Sequence, residues 1–204
     1  MKPEQWLAKL EQICSNSDWV EFSRLRKTTN QRFASTLDYD GLSSFYEELI
    51  ELGLDDEKRS VVRINNIEGF QSSVAAAFGK ACSRLSEIPN VKGVYFEYFY
   101  DAGDSCLGRV YLCEAYSDDD DGWGAEYYSL DAMVDGPDVS EFLNFDQDFE
   151  WDDYPRYVAE EYVNGRFLAA VLEEWQKSGI KGLPFGFAEH DHKIVRAPAN
   201  EEEL

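Results

Sequence analysis

The sequence is short of cations. Against 41 Asp and Glu it sets 19 Lys and Arg and two His, for a formal net charge of −22. Such a chain repels nucleic acids and anionic membranes, and it attracts basic proteins and cations. A basic or aromatic RNA-binding surface is excluded on the same ground. Long apolar runs are missing too: none approaches the ~18 residues that a membrane-spanning helix needs. The N-terminal MKPEQWLAKLEQICS has no apolar core and no cleavage site, so no secretory signal is expected. Cysteine is sparse and unclustered. Cys14, Cys82, Cys106 and Cys113 form no CxxC pair, and they read as free thiols of a cytosolic protein. A Cys106–Cys113 bridge across a hairpin is disfavoured in a reducing compartment.

Catalytic signatures are also lacking. Neither GxxxxGK[ST] nor GxGxxG occurs, so no phosphate loop is expected. There is no GxSxG elbow and no HExxH. The only histidines, His190 and His192 in AEHDHK, would share one face of a strand, but spacing fixes no third metal ligand. They read as ordinary exposed residues of a terminal hairpin. Carboxylate pairs are too abundant to single out an acid–base pair. No catalytic residue, metal or cofactor is assigned.

What the chain does have is aromatic and patterned. Hydrophobic residues make up 44% of the 204 residues and aromatics 15%, enough for a core despite the charge. Trp6, Leu7, Leu10, Ile13 and Cys14 recur at helical spacing in residues 3–15, with Pro3 at the start. Residues 19–41 carry Arg24, Arg26, Lys27 and Arg32, and Val20 and Phe22 suggest a short strand. A second helix follows Asp40 as its cap and ends at Gly53. SVVRIN (60–65) reads as a strand, and 70–87 as a helix with Phe70, Val74, Ala77, Phe78, Ala81 and Leu85 on one face.

VKGVYFEYFYD and GRVYLCEAY, parted by AGDSCL, predict a hairpin of two long strands. The first is aromatic on both faces and belongs in the middle of a sheet. EYYSL suggests a further strand and Asp138–Phe145 a short helix. Pro155 opens the longest helix, running to about Lys177. LPFGFAEHDHKIVR reads as a last strand or hairpin, and the chain frays from about residue 197. The whole, residues 1–204, reads as a single α+β domain: a mostly antiparallel sheet, with a central aromatic hairpin, packed by several helices.

Between Val110 and Pro155 there is no Lys, Arg or His. The acids of that span are Glu114, Asp118, Asp119, Asp120, Asp121, Glu126, Asp131, Asp135, Asp138, Glu141, Asp146, Asp148, Glu150, Asp152 and Asp153. Such a segment has no internal salt bridges, so other parts of the fold, solvent ions or a partner must meet its charge. A calcium loop fits poorly. With Gly122 at the sixth position, Ser117 stands first and Tyr128 twelfth, where Asp and Glu are needed. An acidic disordered tail would be poor in aromatics, whereas this block carries Trp123, Tyr127, Phe145, Phe149 and Trp151 among others. The block therefore reads as folded, with only Asp118–Asp121 as a mobile tip.

Two readings of the folded block remain. One is a solvated acidic rim over core aromatics. The other is a face for a basic protein, with Asp118, Asp119, Asp120, Asp121, Glu126, Asp146, Asp148, Glu150, Asp152 and Asp153 steering it and Trp123 and Trp151 anchoring it.

The layout of opening helices, aromatic hairpin (VKGVYFEYFYD, GRVYLCEAY), acidic loop and long late helix (PRYVAEEYVNGRFLAAVLEEWQKSG) resembles the small acidic immunity proteins of bacterial polymorphic-toxin and contact-inhibition systems. The resemblance covers about two-thirds of the chain and rests on no diagnostic motif. It implies a cytoplasmic, non-enzymatic inhibitor of a cognate toxin domain, often a basic nuclease. It transfers no functional residue. The alternatives are an acidic adaptor or chaperone-like regulator and, third, an enzyme of unrecognised type.

Overall fold

A computed structural model describes residues 1–63, 67–98, 107–127, 130–140, 149, 153–190 and 192–200. The chain opens with α1 (Pro3–Asn16), which buries Trp6, Leu7, Leu10 and Ile13. Ser17 turns the chain in the left-handed region at φ 54°, and the Asp18 carboxylate caps the next helix through the Glu21 amide at 3.1 Å. That helix, α2 (Trp19–Ala34), replaces the strand expected at Val20 and Phe22. Its cap and the inward spacing of Phe22, Leu25, Thr29 and Phe33 outweigh the β-branched and aromatic start.

In α3 (Tyr39–Gly53) the expected face of Leu42, Phe45, Tyr46, Leu49 and Ile50 is buried, but Asp38 is the cap rather than Asp40. The expected strand at 60–65 is also overturned. Asp55 caps α4 (Asp56–Val62), so Ser60–Val62 are helical, and Ile64 and Asn65 lie outside the described residues. The helix expected at 70–87 is α5 (Ile67–Arg84).

The hairpin is present as β1 (Gly93–Tyr98) and β2 (Leu107–Cys113), antiparallel, with Val94 opposite Leu112 and Phe96 opposite Val110. Its turn lies outside the described residues. In place of the strand expected at EYYSL there is a single bridge, Cys113 to Tyr127, and a 3₁₀ turn at Leu130–Ala132; Tyr128 and Ser129 lie outside the described residues. The strand comes later, as β3 (Met133–Asp138). It holds Gly136 and Pro137, which an edge strand tolerates. Asp138 ends that strand, its carboxylate accepts from the Ser140 amide at 2.8 Å, and residues 141–145 of the helix expected at Asp138–Phe145 lie outside the described residues.

The longest helix, α6 (Tyr154–Lys177), is buried nearly all round. One side meets α3, where a Cβ on Gly165 would stand 1.9 Å from the Tyr46 ring, so only glycine allows that approach. The C-terminal hairpin is β4 (Phe185–Glu189) and β5 (Val195–Ala197). The five strands run β3-β2-β1-β4-β5. All neighbours are antiparallel except β1 and β4, so the sheet is mixed and mostly antiparallel, with β1 at its centre.

The expected fraying from 197 does not occur over Ala197–Asn200. Asn200 is buried, and its amide donates to the Trp175 and Ile180 carbonyls at 2.8 and 3.0 Å. The Trp175 carbonyl, in the last turn of α6, also accepts from the Ser178 amide at 3.1 Å, so Asn200 adds a second donor there.

The sheet separates two apolar layers. Val94, Phe96, Tyr98, Val110, Leu112, Phe185 and Phe187 face the helices in one continuous core. Tyr95, Tyr111, Cys113 and Ala188 face the other way, under Trp123 and Ile194. Strand alternation alone sets this division.

Candidate functional site

The acidic run is an ordered turn. Ser117 Oγ accepts from the Asp119 and Asp120 amides at 3.2 and 3.0 Å. The Asp120 carboxylate accepts from Gly122 N at 3.0 Å, and the Tyr116 hydroxyl donates to Asp118 at 2.7 Å. Asp118, Asp119 and Asp120 point to solvent, but Asp121 does not act as a mobile tip. It lies 2.7 Å from Arg196, 3.5 Å from Lys27 and 3.7 Å from Lys193. Partial burial works against its ionisation, but Arg196, Lys27 and Lys193 outweigh it and hold the carboxyl below its ordinary range. Arg196 also donates to the Ser117 and Asp120 carbonyls at 3.0 and 3.1 Å, stapling the loop to β5. Part of the charge of this cation-free segment is thus met by α2 and β5 of the same chain.

Trp123 is 2% exposed, which overturns its expected role as a surface anchor. It lies in the 3₁₀ turn Asp121–Ala125, against Tyr95 and Tyr116 at ring separations of 5.8 and 5.0 Å. Gly93 and Gly186 make room for it; a Cβ there would come within 3.1 and 2.7 Å of the indole. Glu126 is exposed beside it.

The second half of the expected face does not join the first in what is described. Phe149 is buried in the helical core and Asp153 precedes α6, whereas the loop covers the opposite side of the sheet. Asp146, Asp148, Glu150, Trp151 and Asp152 lie outside the described residues.

Beside the loop, the open face of the sheet forms a concavity of about 570 Å³ that the sequence reading missed. Its floor is Glu97, the one acid in β1. The Tyr95 hydroxyl donates to Glu97 Oε1 and the Tyr111 hydroxyl to Oε2, both at 3.3 Å, and His190 Nδ1 lies 3.0 Å from Oε1. Burial, then the Glu97 charge, raises both tyrosines, Tyr111 to about 12 and Tyr95 further, so both stay protonated donors at neutral pH.

The rings of Tyr95 and Tyr111 stack at 5.9 Å, and Tyr127 continues the aromatic wall 4.9 Å from Tyr111. Arg109, cross-strand from Glu97, reaches Asp135 on β3 at 3.6 Å. Met133, Ile194 and Asp121 complete the rim. The described residues lining the concavity offer charge, hydrogen bonds and aromatic side chains. The signal for it was the single Glu97 in an aromatic strand, with the period of two that puts Tyr95 on the same face.

His190 and His192 do not share a face. His190 joins Glu97, while His192 Nδ1 lies 2.8 Å from Arg26 Nη1. Arg26, from α2, is embedded between Glu161 of α6 and Glu189 of β4, the latter at 2.9 Å. Asn164 donates to the same Glu189 at 3.3 Å. Glu161 is wholly buried, and that burial pushes its carboxyl up to about 7 while Arg26 pulls the other way. Among the described residues, no group of three or more His, Cys, Asp and Glu is placed to hold a metal ion. Cys14, Cys82 and Cys113 are free, and Cys106 lies outside the described residues. Among the described residues, no helix is long and apolar enough to cross a membrane. Comparison with protein-family models, curated proteins and solved structures finds no match.

Proposed function

We propose that this chain is a non-enzymatic binding protein that receives a basic protein partner, acting in the cytoplasm as an inhibitor of the immunity type against a cognate toxin domain. The observation that carries this reading is the adjacency of the exposed Asp118–Asp120 turn, Asp121 and the tyrosine-walled concavity. Closely spaced carboxylates raise encounter rates with a cationic partner, and aromatic side chains hold it once docked. The steering acids, Asp118, Asp119 and Asp120, are part of the set expected from the sequence. The anchor is the half-buried Tyr127, backed by the buried rings of Tyr95 and Tyr111, instead of Trp123.

The partner is sought by low-salt capture from the native host, and its association kinetics are then measured at several ionic strengths. Replacing Asp118, Asp119 and Asp120 by Asn slows association and flattens its salt dependence, with little change in dissociation. Failure to retain any basic protein, or rates unchanged in the triple variant, overturns the reading.

A further inference from the structure

Resting on that reading, we propose that the concavity on the open face of the sheet is the receptor for one arginine side chain of the partner. Three features converge on a guanidinium. The first is a fixed anion. Glu97 is held by two tyrosine hydroxyls and faces His190, so its carboxylate is oriented before anything binds. A carboxylate offers about four lone-pair sites, so the tyrosine bonds leave acceptor capacity for an incoming N–H donor.

The second is aromatic: Tyr127, half-buried at the edge of the concavity, presents a ring that attracts a cation within about 6 Å, and the buried Tyr111 and Tyr95 stack behind it. The third is the charge around the mouth. Asp121 lines the concavity against Arg196, Lys27 and Lys193, Asp135 sits against Arg109, and Glu126 is exposed nearby, in a molecule of net charge −22. An anionic ligand would meet these carboxylates on entry.

The choice of arginine over lysine follows from shape. A guanidinium is planar, stacks on tyrosine and can give a carboxylate two parallel hydrogen bonds, whereas an ammonium is a strongly hydrated point charge. Charges of opposite sign already alternate across the sheet: Arg109 stands in register between Glu97 and Asp135 and lies 3.6 Å from Asp135. An arginine seated beside Glu97 extends the alternation of sign. The volume of about 570 Å³ admits the side chain together with the backbone of the loop that carries it.

The probe is Nα-acetyl-arginine amide, titrated into the whole chain and followed by tyrosine resonances in NMR. Saturable binding is expected, with shifts concentrated on Tyr95, Tyr111 and Tyr127. Nα-acetyl-citrulline amide, which has nearly the same shape without the charge, binds at least tenfold more weakly, and the lysine analogue several-fold more weakly. Glu97→Gln weakens arginine at least tenfold, and Tyr127→Leu, at the edge of the wall, several-fold. A cooperative unfolding transition identifies a variant that has lost its fold; the citrulline comparison on the unaltered chain decides the matter even then.

No saturable arginine binding, equal binding of citrulline, or affinities unchanged in both folded variants would overturn the assignment. A basic partner that binds with salt-dependent association while arginine does not sinks this inference and leaves the proposed function standing. Arginine binding with no basic partner found does the reverse.

Discussion

Glu161 is the residue whose environment departs furthest from its chemistry. It is wholly buried, and that burial pushes its carboxyl up to about 7 in the folded chain, against an ordinary value of 4.5. Between those values the folded state binds more protons than the unfolded one, so stability falls as the pH rises through that window. Glu161→Gln keeps the shape and removes the titration. Urea unfolding at pH 5 to 8 is expected to show the wild type losing on the order of 2 kcal/mol relative to the variant as the pH rises. Parallel curves would mean that Arg26 keeps Glu161 ionised throughout. Nothing in the sequence marks this residue, because AEEY looks like any solvated turn of a helix; only the burial of α6 on nearly all sides makes Glu161 internal. Trp123 shows the opposite error. Its acidic neighbours read as surface, yet Gly93 and Gly186, far away in sequence, leave the space that takes it inside.

Elements were legible where one signal dominated. The face of α3, the length of α6 and the aromatic alternation of β1 and β2 each fixed type and approximate bounds. The sequence reading failed where a cap competed with composition. Asp18 and Asp55 turn Val20–Phe22 and Ser60–Val62 into helices although their residues favour strands. No strand was expected at β3, whose Gly136 and Pro137 suit an edge position rather than the interior of a sheet.

The acidic loop was legible as folded, but what holds it was not. Arg196 joins β5 to Asp121, Ser117 and Asp120 across more than 70 residues of sequence. Arg196→Met keeps the aliphatic stem and removes this staple. Amide exchange in residues 114–127 is expected to accelerate at least tenfold, with a cost of about 1–3 kcal/mol in global stability, since Asp121 loses its nearest cation while remaining partly covered. Unchanged exchange would assign the ordering of the loop to Trp123 alone.

At the scale of the molecule, charge and topology pull in different directions. A net charge of −22 on 204 residues makes the compact state repel itself. Local pairs such as Arg26 with Glu189 are partly buried and weakly screened, whereas the exposed carboxylates are screened strongly. Raising sodium chloride from 0.05 to 0.5 M is therefore expected to raise the melting temperature by several degrees in calorimetry, and a fall would show that surface pairs outweigh the repulsion. Topology acts on how the chain is made. The second neighbour of the central strand is β4, which begins at Phe185, more than 80 residues after β1 ends at Tyr98. A ribosome releasing this chain from its N-terminus delivers β1 and β2 long before that neighbour exists. Through that interval Val94, Phe96 and Tyr98 stand beside an unfilled edge in a growing polypeptide, the kind of edge that pairs with the wrong strand. The same excess of carboxylates that burdens the finished molecule keeps nascent copies apart until Phe185–Glu189 arrives to close the sheet.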